Sequence, residues 1–111
     1  MEVKAVARYV RISPLKVRRV AEQIRGRPVD EAQALLRFMP HQAARVLEKV
    51  LKSAVANAEN NLDLARDDLI VTRAYVDAGP SMRRLAPRAR GRVDVVTRRS
   101  SHVTVVVGER S

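Results

Sequence analysis

The chain has 111 residues, 46% of them hydrophobic, which is enough for one packed domain and too short for two. Lys and Arg number 22 against 12 Asp and Glu, a net charge of +10, and an excess of that size points to a polyanionic partner. Cysteine is absent, which excludes disulfides, thiolate metal sites and cysteine nucleophiles.

Residues 3–12, where β-branched and basic residues partly alternate, predict a strand. Ser13-Pro14 then pairs a good N-cap with a residue suited to the first helical position. The apolar stripe Val17, Val20, Ala21 and Ile24 follows, and Gly26 supplies the stop. A second helix is predicted over 29–39, with Val29, Ala32, Leu35, Leu36 and Met39 inward and Pro40 closing it. The third helix, 41–61, carries Leu47, Val50, Leu51, Ala54 and Ala58 at helical spacing and ends near Asn57, Asn60 and Asn61. From Asp68 the period changes to two. Residues 69–77 predict a strand, Gly79-Pro80 a bend, and Val103, Val105 and Val107 a last strand in alternation with His102, Thr104 and Val106. The order implies an α+β fold, three helices packed on a small, mainly antiparallel sheet.

Between the last strands lies a segment that does not suit a compact body. Residues 81–101 hold seven arginines (Arg83, Arg84, Arg88, Arg90, Arg92, Arg98 and Arg99) against Asp94 alone. Burying unpaired guanidinium groups costs several kcal/mol each, so the segment must project. Pro87 and Gly91 bracket a reversal at Arg88-Ala89-Arg90, and flanking arms of roughly ten residues would extend about 30 Å. The expected organisation is a single domain over 1–111, with a body of about 1–80 and 101–111 and a protruding basic β-hairpin of about 81–101. Charge follows the same division: residues 1–27 hold eight bases against two acids and residues 82–111 eight against two, while 28–81 hold six against eight.

Such a chain binds phosphates in quantity but has few groups for reading bases. Aromatics are limited to Tyr9, Phe38 and Tyr75, too few for a stacking platform, so recognition of folded RNA by shape and phosphate arrangement is expected. Tyr9 and Tyr75 are read as partly buried sheet residues. Arg83, Arg84, Arg88, Arg90, Arg92, Arg98 and Arg99 are the predicted hairpin contacts, and Arg11, Lys16, Arg18 and Arg19 those of the first helix. His41 and His102 have no metal-ligand spacing, no Gly-rich phosphate loop occurs, and Asp67-Asp68 reads as capping or solvent-facing acids. No catalytic residue, metal or cofactor is expected. The alternative is an architectural DNA-binding protein using a basic β-arm, although the strand–helix order shows no dimer seam and no homo-oligomer is expected. No apolar run approaches the length of about 18 residues that spans a bilayer, and no export signal opens the chain, so a cytoplasmic protein without a membrane role is expected.

Five blocks in register resemble the family of bacterial large-subunit ribosomal protein twenty-two. They are Arg11-Ile12-Ser13-Pro14 with Lys16-Val17-Arg18, Ala56-Asn57-Ala58 with Asn60-Asn61, Ala74-Tyr75-Val76-Asp77-Ala78-Gly79-Pro80, Pro87-Arg88-Ala89-Arg90-Gly91-Arg92, and Ser101-His102-Val103-Thr104-Val105-Val106. Leu15 and Ala78 stand where the family commonly has a basic and an acidic residue. The resemblance implies binding to large-subunit rRNA early in assembly, and a place in the ribosome. It also implies a hairpin lining the nascent-peptide exit tunnel, with its tip at Pro87, Arg88, Ala89, Arg90, Gly91 and Arg92. The partners it implies are rRNA, neighbouring ribosomal proteins including protein four at the tunnel constriction, and the nascent polypeptide. Met82-Arg83-Arg84 matches the hairpin stretch that the family links to macrolide response.

Overall fold

The structure, a computed structural model, describes residues 2–80, 82–87 and 93–109, the hairpin strands by their backbone. Its elements are β1 (Glu2–Val10), α1 (Pro14–Ile24), α2 (Val29–Phe38), α3 (Gln42–Leu62), a 3-10 turn at Arg66–Asp68, β2 (Leu69–Ala78), β3 (Met82–Pro87), β4 (Val93–Arg98) and β5 (Ser101–Glu109). An antiparallel sheet runs in the order β1-β5-β2, and β3 and β4 form a separate antiparallel pair. The α+β prediction of three helices on a small sheet, with a hairpin, is what the chain adopts.

The helices form where apolar spacing and punctuation agree. In α1 the stripe Val17, Val20, Ala21 and Ile24 is buried, and Gly26 follows at φ +77°, a backbone state that glycine adopts without a Cβ penalty. In α3 Ala44, Leu47, Leu51, Ala54 and Ala58 have no exposed surface, and the alanines let the helix approach the sheet closely. Helix α3 lies over β1 and β5, α1 over β2, and α2 against α3. Val103, Val105 and Val107 of the central strand fill the space beneath them. Burial of each such valine or leucine contributes about 1.5–3 kcal/mol. No helix of the described residues is long and apolar enough to cross a membrane.

Three local features depart from the sequence reading. Ser13 caps α1 with its carbonyl, which accepts from Lys16 N–H at 3.2 Å, while its side chain makes no capping bond. Helix α3 ends on Asp63 in the left-handed conformation (φ 54°), where a short polar side chain is tolerated. Ser101 belongs to β5 and not to the hairpin: it is fully buried, and its hydroxyl donates to the Ile12 carbonyl at 2.5 Å.

The hairpin pairs Met82 with Arg98 and Pro87 with Val93. The described part of each arm has six residues, about 20 Å, and the inferred length of roughly ten residues per arm reaches into 88–92, which lie outside the described residues. At the root, Gly79-Pro80 and Arg99-Ser100 separate this pair from the ladder between β2 and β5. The molecule extends 62 × 26 × 18 Å with a radius of gyration of 17.0 Å, against about 13 Å for a compact chain of this length.

Candidate nucleic-acid interface

The predicted phosphate-binding residues of the body separate into two places. Arg11, Lys16 and Arg19 converge on an open groove of about 630 Å³ where the start of α1 faces the start of α3. Ser13-Pro14 positions them: the extended residue before proline turns the chain out of β1, so Arg11 precedes the helix while Lys16 and Arg19 lie one turn apart on it. The opposite wall is His41, Gln42 and Ala43. Helix α3 has no side-chain cap and no acid in its first turn, so the partial positive charge of its N-terminus adds to the three cations.

Arg18 and Arg99 line a second, smaller cleft of about 380 Å³ at the root of the hairpin, with Pro14, Leu15, Gly79 and Ser100. Arg18 is already engaged there. Its Nε and Nη2 donate to the Val76 carbonyl at 3.1 and 3.0 Å, so part of its guanidinium holds the fold while the remainder faces solvent.

Counter-charge is distributed in keeping with this. Among the described residues the ion pairs are Arg27–Glu31, Arg45–Glu48, Arg66–Asp30, Arg66–Glu59 and Arg73–Glu2. None of them involves Arg11, Lys16, Arg18, Arg19 or Arg99. The five acids in these pairs, Glu2, Asp30, Glu31, Glu48 and Glu59, all engage bases outside the groove and the cleft.

In the hairpin, Arg83 and Arg84 fall on β3 and Arg98 on β4, with Arg83 across from Thr97 and Arg84 across from Val96. The predicted tip residues Arg88, Ala89, Arg90, Gly91 and Arg92 lie outside the described residues, while Pro87 closes β3. The structure therefore joins Arg11, Lys16 and Arg19 in one groove, sets Arg18 beside Arg99, and carries Arg83, Arg84 and Arg98 on a separate ribbon.

Several contributors were not singled out from the sequence. His41 and Gln42 enter the groove through the meeting of two helices distant in sequence, which no local pattern reveals. Arg25 donates from Nε to the Ala74 carbonyl at 2.7 Å. Arg45 donates to the Leu36, Arg37 and Met39 carbonyls and so closes the end of α2. A lone arginine near a helix end is the only signal for that role. Asn57, Asn60 and Asn61 are exposed, as are Asp67 and Asp68. Tyr9 and Tyr75 are more exposed than the sequence reading held, because a bulge and an outward register turn them from the core.

Comparison with known proteins gives the family of the chain. The family described as Ribosomal protein L22p/L17e matches residues 5–108. "Large ribosomal subunit protein uL22" of Thermotoga sp. is 58% identical over 111 residues, covering 100% of this chain and 70% of that protein. The protein of the same name from Carboxydothermus hydrogenoformans is 56% identical over 110 residues, covering 99% of this chain and 97% of its own. A basic groove, an arginine-bearing hairpin and a match running almost from end to end lead to one assignment: the chain belongs to the Ribosomal protein L22p/L17e family.

Proposed function

We propose that the chain is a structural constituent of the large ribosomal subunit that binds large-subunit rRNA through phosphate and shape contacts. Its relatives are named as large-subunit proteins, and the family is one of structural ribosomal proteins and not of enzymes, residing in the bacterial ribosome in the cytoplasm. The observation that carries the RNA reading is the groove of Arg11, Lys16 and Arg19, whose cations have no ion-pair partner among the described residues. Guanidinium and ammonium groups held around a cavity beside an uncapped helix start suit phosphate oxygens.

The hairpin serves the same partner. An isolated two-stranded ribbon is marginally stable in water, and one carrying seven arginines between residues 81 and 101 is favoured only where anions surround it. With body and ribbon both held, the chain ties together separate parts of the rRNA and supports subunit assembly. The resemblance to the family further supports a hairpin that lines the nascent-peptide exit tunnel, its tip around Pro87 to Arg92 near protein four and the passing polypeptide.

The test is binding of the whole chain to large-subunit rRNA as salt is raised. Each phosphate contact lowers the logarithm of affinity by about 0.7–0.9 per tenfold rise in salt, so a steep slope is expected, with little competition from duplex DNA. A flat slope, or equal competition by DNA, contradicts the proposal.

A further inference from the structure

The sheet face turned away from the helices carries a feature that phosphate binding does not use. Tyr9 has φ +58°, a left-handed state that bulky residues rarely adopt. It sits in a bulge of β1: Ala7 pairs with Val103 and Val10 with Ser101, so Arg8 and Tyr9 together oppose His102. The unusual backbone is held in place. Tyr9 N–H donates to Nδ1 of His102 at 3.1 Å, and the two rings meet edge to face with centroids 5.0 Å apart. A tyrosine 64% exposed to solvent is thereby fixed in orientation.

Tyr75 stands on the other edge strand, across from Thr104, the next outward position along β5 from His102. It is 38% exposed. Strands lie about 4.8 Å apart, so Tyr9, His102 and Tyr75 cross the face from edge to edge over about 10 Å. Lys4 and Arg8 occupy outward positions on β1. Arg73 is paired with Glu2 at 2.9 Å, and Asp77 faces His102 across the ladder. Val6, opposite Thr104, is the exposed aliphatic side chain of this face among the described residues. One exposed aliphatic group is a poor anchor for a protein partner, whereas a held ring and a second exposed ring on the edge strands, over a central strand whose Thr104 and Val106 are buried between them, with cations beside them, match the way sheets receive unpaired bases.

We propose that this face binds unpaired nucleotides of the RNA, with bases stacked on Tyr9 and Tyr75 and with Lys4 and Arg8 on the adjoining phosphates. The site rests on the RNA-binding reading above and adds to it a contact made through bases.

The chain has two tyrosines and no tryptophan, so its tyrosine emission reports these rings alone. The full chain is titrated with a short single-stranded oligoadenylate and with a blunt RNA duplex. The oligoadenylate quenches the emission and the duplex does not. Tyr9→Asn, which suits left-handed backbone, and Tyr75→Leu each weaken oligoadenylate binding about tenfold without changing its salt slope, whereas Tyr9→Phe binds as the parent does. Lys4→Gln lowers the slope by about 0.7. Oligoadenylate binding without quenching, with both ring-deleting variants unaffected, overturns the site while leaving the phosphate reading intact and makes the face a surface for a neighbouring protein. Failure of the chain to bind either RNA overturns both.

Discussion

Arg18 donates from both Nε and Nη2 to one acceptor, the carbonyl oxygen of Val76, across 58 residues of sequence. That carbonyl lies on the outer edge of β2, where an unpaired row of backbone groups would invite another strand. The rest of the edge is closed by the same stretch of chain: Arg25 takes the Ala74 carbonyl, and Gly26 and Arg27 exchange backbone hydrogen bonds with Val71. A bulge at Thr72 explains the change of parity, since residues before and after it must both point outward.

Arg18 and its neighbour Arg19 are therefore expected to behave differently when replaced. Arg18→Ala leaves the Val76 carbonyl without its charged donor and lowers stability by about 1 kcal/mol, near 5 °C in unfolding temperature. Arg19→Ala removes an exposed groove cation and changes stability by less than about 0.5 kcal/mol, while the salt slope of rRNA binding falls by about 0.7–0.9. Thermal unfolding and rRNA titration on both variants check the distinction.

The groove acts as a unit. Replacing Arg11, Lys16 and Arg19 together with glutamine keeps a polar side chain at each position and removes three charges, so the slope should drop by about two to three. Filter binding at several salt concentrations measures it, and an unchanged slope removes these side chains from the phosphate contacts.

The hairpin root is tightly closed at Gly79, whose N–H donates to the Ser100 carbonyl at 2.9 Å. A Cβ at this position would lie 2.5 Å from Ser100 Oγ and 3.3 Å from Cε1 of His102. Ser100 Oγ holds the Pro80 carbonyl at 2.8 Å, so Gly79→Ala must break that bond, at a cost of about 1 kcal/mol. In a Ser100→Ala background the substitution should cost measurably less, because the clashing oxygen is already gone. A double-mutant cycle by thermal unfolding reads the coupling.

The tunnel reading has its own test. A photoactivatable residue in place of Arg90 should capture the nascent polypeptide in stalled ribosomes, and one at exposed Lys52 on α3 should not. Equal capture at both positions argues against a tip beside the nascent chain.

Much of this architecture is legible in the sequence where local chemistry and the core ask for the same thing. Pro14 and Gly26 bound α1 because their backbone preferences match the helix ends they occupy, and the valines of β5 alternate because one sheet face is the core. Features set by tertiary contact are not legible. The bulges at Tyr9 and Thr72 arise from strand pairing, and the capture of Arg18 by β2 depends on how α1 crosses the sheet. His41 becomes a groove residue only when two helix starts meet. Charge density marks Arg11, Lys16 and Arg19 as candidates, yet nothing in their spacing separates them from Arg18, which the fold uses.

Cross-linking of native large subunits, followed by mass spectrometry of nucleotide-bearing peptides, tests the central claim most directly. Adducts are expected on peptides from the segment 82–99 and from the start of α1, residues 11–19. Large subunits that contain the chain but yield no rRNA adduct on either segment, while adducts appear on other faces of the protein, would contradict it.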